Sequence, residues 1–121
     1  MADVFISYSR SDEKSASRVA SALQKASYSV WWDADLPAHR SYSDVIETHL
    51  RDAKAVVVLW SKEAVGSQWV RAEADVARNA DKLVQLSPDG TMPPLPFNQL
   101  QCASLKGWRG GTTHLGWRKL G

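Results

Sequence analysis

The sequence is short of the features that mark secreted, membrane-spanning and nucleic-acid-binding chains. A single cysteine, Cys102, in 121 residues excludes an intrachain disulfide and favours a reducing compartment. The early residues lack the order of a signal peptide, and every apolar run is too short to span a bilayer. The 15 basic and 13 acidic residues are interspersed, so we expect no nucleic-acid partner and no membrane partner. We therefore expect a cytoplasmic location.

Two common kinds of ligand site are missing as well. The three histidines, His39, His49 and His114, share no metal-ligand spacing, so no metal is assigned. Neither a dinucleotide-binding nor a P-loop type of glycine-rich phosphate loop is present. We expect no cofactor, and any bound nucleotide would have to be held in another way.

Apolar strands alternate with one-sided helices along the chain. Strands are predicted at residues 4–6, 28–32, 55–60 and 83–86, with a further short strand near 101–103. Helices are predicted up to about Ala26 with Ser11 as N-cap, from Ser41 or Ser43 onward, through 67–78, and as a last turn around 115–118. This order predicts one α/β domain over residues 1–121, with a mainly parallel sheet between layers of helices.

Three polar segments follow strands in this arrangement, at residues 7–12, 33–41 and 61–69. In open parallel sheets the carboxyl ends of the strands meet at one edge, and ligands bind in the crevice there. The segment 33–41 is a long loop without periodicity, which makes it a candidate for function. The sequence therefore predicts a ligand crevice bounded by these three segments.

Glu73 is the most informative residue of the helix over 67–78. At about 100° per residue, five apolar side chains fall within about 60° of it, namely Trp69, Val70, Val76, Ala77 and Ala80. Glu73 is thus predicted at the centre of the apolar stripe. One interpretation is that it pairs with Arg10 or Arg40 and ties loops together. The other is a carboxylate in a partly apolar cleft that serves chemistry.

Six tryptophans are several times the usual number for this length. Most are expected to fill the core, and this is also the default for Trp69. Alternatively, Trp69 stacks a flat heterocycle beside Glu73, one turn further along the same helix face. Trp31 and Trp32 are expected on opposite faces of the sheet, and Asp33 either caps the following loop or contributes to the site.

Four motifs, in order along nearly the whole chain, resemble a Toll/interleukin-1 receptor (TIR) domain of bacterial type. They are Phe5-Ile6-Ser7-Tyr8-Ser9 followed by Asp12, the Trp31-Trp32-Asp33 stretch, Ser61 to Trp69, and Trp69-x-x-x-Glu73. The resemblance implies a flavodoxin-like, three-layer fold with a five-stranded sheet. In the enzymatic branch of this family it also implies cleavage of the nicotinamide–ribose bond of NAD+, with Glu73 catalytic.

The resemblance also assigns the remaining site residues. Trp69 would pack beside the nicotinamide, while Phe5, Ser7, Tyr8 and Arg10 would line the pocket. Asp33 is also assigned to substrate binding. The family's BB loop, which gates the pocket or docks on a neighbouring copy, corresponds to residues 33–41. Its assigned site residues are Leu36, Pro37, Ala38, His39, Arg40 and Ser41. The product, ADP-ribose or a cyclic form, stays open.

Three functions follow from this resemblance. The first is an NAD+ glycohydrolase activated by self-assembly, an effector of bacterial immunity against phage, with a sensor domain fused beyond Gly121. The second is an adaptor that acts through TIR–TIR contacts without turnover. The third is a bacterial mimic that interferes with host signalling. A family fold alone does not decide between them.

Overall fold

The structure, a computed structural model, describes residues 3–32, 43–99 and 102–104. These residues form nine main elements in chain order: β1 (Val4–Ser7), α1 (Glu13–Lys25), β2 (Val30–Trp31), α2 (Ser43–Asp52), β3 (Ala55–Leu59), α3 (Lys62–Val65), α4 (Gln68–Asn79), β4 (Leu83–Ser87) and β5 (Cys102–Ser104). Two 3₁₀ turns, Arg10–Asp12 and Phe97–Gln99, precede α1 and β5.

The strands pair in the order β2-β1-β3-β4-β5, and every pairing is parallel. This is the strand order of flavodoxin-like folds. Four strands have three to five residues, whereas β2 has only two, so the strand predicted over 28–32 is shorter in the structure. The predicted α/β fold with a mainly parallel sheet is confirmed.

Alternating residues of β1 and β3 pack on opposite faces of the sheet. On one face, Val4 and Ile6 join Val57 and Leu59 against the buried side of α1. On the other face, a second cluster joins the sheet to α2 and α4; it contains Phe5, Val56, Val58, Leu50, Ala53, Val70, Ala74 and Ala77. Burial on both faces explains why β3 is an almost uninterrupted apolar run.

The start of α1 differs from the prediction. Ser11 is not its N-cap, because residues Arg10–Asp12 form a 3₁₀ turn and the helix begins only at Glu13. Asp12 takes the N-cap position but makes no capping hydrogen bond with its side chain. Its carboxylate is engaged elsewhere, since it accepts a hydrogen bond from the Ser61 hydroxyl.

The polar segment 61–69 contains the short helix α3, which was not predicted. Ser61 caps this helix by accepting a hydrogen bond from the Ala64 amide at 3.1 Å, and Gly66 follows its last residue. Ser67 then caps α4 through the Val70 amide at 3.2 Å. Two serine caps six residues apart therefore turn the chain from β3 into the helix that carries Glu73.

The other helix on this face, α2, is anchored at its carboxyl end by a lysine from outside the helix. The Lys82 ammonium donates hydrogen bonds to the carbonyls of Leu50, Arg51 and Ala53, at 2.7, 3.0 and 2.8 Å. Carbonyls at a helix end lack partners within the helix, so a cation is favourable there. Across the described ranges, no helix has the length and apolar character needed to cross a membrane.

Candidate functional site

The candidate site begins where β1 ends. The pleat of the strand directs Phe5 and Ser7 toward the face covered by α2 and α4. Ser7 is opposite Val58 of β3 in the sheet register and is only 1% exposed. A hydroxyl is thus buried at the carboxyl end of a central strand, beside the helix that carries Glu73.

Glu73 and Ser7 are joined by a short hydrogen bond. The Ser7 hydroxyl donates to Oε1 of Glu73 at 2.5 Å, across 66 residues of sequence. Glu73 is 6% exposed, and its helix is packed on the sheet through Val70, Ala74 and Ala77. An acid this far buried is stable only with hydrogen-bond partners, and Ser7 supplies one of them.

Glu73 lies at the border of the buried side of α4, so the predicted position at the centre of the apolar stripe is wrong. Val70 and Ala77 are buried as expected, whereas Trp69 and Val76 are each 47% exposed and Ala80 is exposed too. The buried side chains of α4 therefore lie on one side of Glu73 around the helix, and those on its other side are exposed. The physical reason is that β1 and β3 cover the side of Val70 and Ala74 and leave the other flank open.

Trp69 is consequently not a core residue, contrary to its default interpretation. It lies one turn before Glu73, at the second residue of α4, with about half of its surface accessible. Its indole is available for contact with a flat ligand or with another protein. The assignment of Trp69 to substrate binding stays a prediction.

Beneath this part of the sheet edge is a stack of aromatic rings. Phe5 and Trp31 are stacked with their ring centroids 5.0 Å apart, and Trp31 stacks on His49 of α2 at 4.5 Å. Phe5 is only 1% exposed. It supports the site from within the core, which leaves little of its surface for a bound molecule.

Tyr8 is directed away from Glu73. It packs against the α1 cluster on the opposite face and approaches Trp32, with ring centroids 6.0 Å apart. Trp31 belongs to the α4 cluster and Trp32 to the α1 cluster, which confirms that their indoles lie on opposite faces. Arg10 is exposed in the 3₁₀ turn. The structure therefore brings Ser7 and Glu73 together, but not Tyr8.

A second polar contact at this edge was not predicted. Asp12 accepts the Ser61 hydrogen bond and so ties the segment after β1 to the segment after β3. Burial raises the pKa of Asp12, the Ser61 hydrogen bond opposes this shift, and the nearby charges of Glu63 and Asp89 add to it. The signal in the sequence was the position of Asp12 and Ser61 after neighbouring parallel strands.

Several predicted residues lie outside the described part of the chain. They are Asp33, the BB-loop residues Leu36 to Ser41, and the last helical turn near Trp117. Their assignments stay predictions. Among the described residues, no group of three or more histidine, cysteine, aspartate or glutamate side chains is placed to hold a metal ion. Burial raises the pKa of Cys102 to about 11, so its thiol is protonated at neutral pH.

Comparison with known proteins identifies the family. A family model described as "TIR domain" matches residues 4–120. No curated protein matches the chain. The motifs around Ser7, Trp31 and Glu73 all lie within the matched range.

Solved structures agree on the fold. The TIR domain of the Toll-related receptor TRR-2 from Hydra magnipapillata aligns over 99% of this chain and 95% of its own, with TM-score 0.79 and 14% identity. A TIR-STING receptor from C. gigas, solved with 2',3'-cGAMP, covers 87% of this chain with TM-score 0.72 and 24% identity. The TIR domains of the activated Roq1 resistosome, which recognises the effector XopQ, cover 75% with TM-score 0.60 and 20% identity. This chain spans 35% of the TIR-STING chain and 60% of the Roq1 chain.

Proposed function

This chain belongs to the TIR domain family, and on that basis we propose that it is an NAD+ glycohydrolase that cleaves the nicotinamide–ribose bond. Glu73 is the catalytic carboxylate. The observation that carries the proposal is the placement of this acid: it is 6% exposed, beside the carboxyl end of β1, where α/β folds bind ligands. TIR domains include NAD-cleaving enzymes, and the resemblance in the Trp69-x-x-x-Glu73 spacing is to that branch.

The chemistry suits a carboxylate in this position. Breaking an N-glycosidic bond builds positive, oxocarbenium-like charge on the ribose, as in other glycoside hydrolyses. A fixed carboxylate shielded from water stabilises this charge more strongly than one in open solvent. The nicotinamide of NAD+ is positively charged and leaves as a neutral molecule, so the reaction needs no separate general acid. Trp69, one turn away and half exposed, offers a flat surface for the ring.

Activation by self-assembly is part of the proposal. TIR domains self-associate, and the activated Roq1 resistosome is a neighbour that carries TIR domains in an assembly. In this chain the BB loop of one copy, residues 36–41, would complete the pocket of the next. The biological role that follows is an effector of bacterial immunity against phage, in which depletion of NAD+ stops the infected cell. A fused sensor domain would supply the signal.

A TIR–TIR adaptor without turnover is the second candidate. It is favoured by the exposure of two large apolar side chains on α4, Trp69 and Val76, each 47% exposed. Exposed apolar side chains on one side of a helix suit a protein contact as well as a ligand contact. The two candidates differ in what they require of Glu73, because an adaptor has no chemical use for a buried acid.

The decisive experiment measures nicotinamide release from NAD+ at high protein concentration with a crowding agent present. Wild type is compared with Glu73→Gln and Glu73→Ala. We expect both variants to lose at least about a hundredfold in rate, since they remove the charge that stabilises the transition state. Circular dichroism and thermal unfolding establish that each variant remains folded.

The matched control is Asp75→Asn. Asp75 is an acid on the same helix, but it is exposed and paired with Arg78 at 2.9 Å. This variant should retain wild-type activity. If wild type releases no nicotinamide even when assembled, the glycohydrolase proposal fails and the adaptor is favoured. A Glu73→Leu variant that gains stability and still binds its partners would then support the adaptor.

A further inference from the structure

We propose that Ser7 is a positioning residue for Glu73, and not one that contacts substrate: its hydroxyl fixes one carboxylate oxygen and favours the ionised acid. This inference rests on the proposed NAD+ cleavage and deepens it. The resemblance to TIR domains assigned Ser7 to the pocket lining. The geometry instead points to a role exerted through the carboxylate.

Burial is the first step of the argument. Ser7 is 1% exposed, at the end of β1, with β3 beside it and α4 above it. A hydroxyl with so little accessible surface has no room to meet a substrate. Its one donor hydrogen is directed to Oε1 of Glu73 at 2.5 Å. Whatever Ser7 contributes to the reaction must therefore pass through Glu73.

The second step concerns what this hydrogen bond does to the acid. A hydroxyl that donates to a carboxylate stabilises the charged form over the neutral form. It also restricts rotation of the carboxylate about its last torsion angle, which is otherwise broad. Both effects serve a group whose task is to present a negative charge at a fixed place. Ser7 is on a central strand, so it is a rigid support for this purpose.

The experiment compares Ser7→Ala with Ser7→Thr. Alanine removes the hydroxyl, whereas threonine retains it and suits a strand position. We expect Ser7→Ala to lower kcat by about 10- to 100-fold with KM nearly unchanged, since one charge-assisted hydrogen bond corresponds to about that factor. The acidic limb of its pH–rate profile should move about one unit to higher pH. Ser7→Thr should recover most of the rate.

Ser87→Ala is the structural control. Ser87 is also buried, at the end of the parallel strand β4, and its hydroxyl donates to the Trp60 carbonyl at 2.9 Å. Losing that hydroxyl removes a buried hydrogen bond without touching Glu73. This variant should show wild-type kcat and an unmoved acidic limb, even where its thermal stability falls.

A second readout does not depend on activity. Side-chain carboxyl ¹³C NMR follows the titration of Glu73 in wild type, Ser7→Ala and Ser87→Ala, with Glu73→Gln used to assign the signal. The midpoint should move about one unit higher in Ser7→Ala and stay in place in Ser87→Ala. This shift, together with the loss of kcat and the threonine rescue, would establish the positioning role.

Four results would overturn the proposal. A raised KM with unchanged kcat in Ser7→Ala would make Ser7 a substrate contact. An equal loss of activity in Ser87→Ala, or an unmoved Glu73 midpoint in Ser7→Ala, would reduce Ser7 to a packing role. If the midpoint moves but wild type releases no nicotinamide, NAD+ cleavage itself fails, and the hydrogen bond is a structural link between β1 and α4.

Discussion

Two acids at the carboxyl edge of the sheet, Asp12 and Glu73, each accept a hydrogen bond from a serine hydroxyl. Their surroundings differ. Glu73 is on a helix that packs against the sheet, whereas Asp12 ends a 3₁₀ turn and is only half buried. Asp12 links the segments that follow β1 and β3 at this edge. Glu73 is the acid that faces the buried end of β1.

The pH dependence of stability should report on Asp12. Burial raises its pKa above the ordinary value of 3.8, against the opposing Ser61 hydrogen bond. The folded state therefore binds this proton more tightly than the unfolded state does. The stabilising contribution is fully present below the unfolded pKa and is lost as pH rises through the folded pKa. Asparagine cannot titrate but still offers an oxygen to the Ser61 hydroxyl.

We therefore expect the free energy of unfolding of wild type, relative to Asp12→Asn, to fall as pH rises from the ordinary value of 3.8 through the raised pKa of the folded state. Urea denaturation of both proteins across this range measures the difference, provided that the slopes with urea agree. A difference that grows with rising pH would contradict the burial of Asp12. Asp12→Ala, which removes the acceptor entirely, should cost about 1–2 kcal/mol at the acidic end of the range. This cost should shrink as pH rises, because alanine does not titrate either.

The carboxyl end of α2 depends on a residue that is distant in sequence. Lys82 binds three carbonyls there, and no periodicity within the helix indicates it. Replacement by methionine keeps most of the side-chain length but removes the donors. We expect Lys82→Met to lower the free energy of unfolding by about 1–3 kcal/mol, because partly buried carbonyls lose a charged partner.

Chemical denaturation measures the free energy of unfolding of Lys82→Met. Lys54→Met, measured in the same way, is the comparison. The Lys54 side chain is 84% exposed and its ammonium is 3.7 Å from Asp3. An exposed ion pair of this kind contributes little, so the cost should stay below about 0.5 kcal/mol. Equal losses in the two variants would show that the contacts of Lys82 do not anchor α2.

The helices show where sequence reasoning succeeds and where it stops. The period of the apolar residues located α1 and α4, because a one-sided helix must bury that side. The same period predicted the wrong set of buried side chains on α4, because Trp69 and Val76 are apolar yet exposed. Which flank is covered is decided by β1 and β3. The short helix α3 was missed because four residues carry no usable periodicity.

The sheet as a whole was more predictable than the site built on it. The alternation of strands and helices, with short connections, leaves few arrangements for a parallel sheet. The proximity of Ser7 and Glu73 is different, because it joins positions 66 residues apart. Sequence placed both residues near one edge, and only the packing of α4 brought the hydroxyl to the carboxylate.

Self-assembly should make the activity of each copy of the chain depend on its neighbours. If the BB loop of one copy completes the pocket of another, specific activity should rise with protein concentration until assembly is complete. A sharper test uses the Glu73→Gln variant, which we expect to be inactive. Added in excess to dilute wild type, it can supply the loop of a neighbouring copy but no turnover of its own. We expect nicotinamide release per wild-type molecule to increase by at least about tenfold, because mass action populates mixed assemblies.

Serum albumin at the same mass concentration is the control for crowding, which favours compact or associated states only weakly. It should leave the specific activity of dilute wild type nearly unchanged. Sedimentation velocity on the mixtures tests whether the gain follows the population of assembled species. Activity strictly proportional to wild-type concentration, with no response to the Glu73→Gln chain, would mean that each copy carries a complete site. The loop at residues 36–41 would then act only within its own chain.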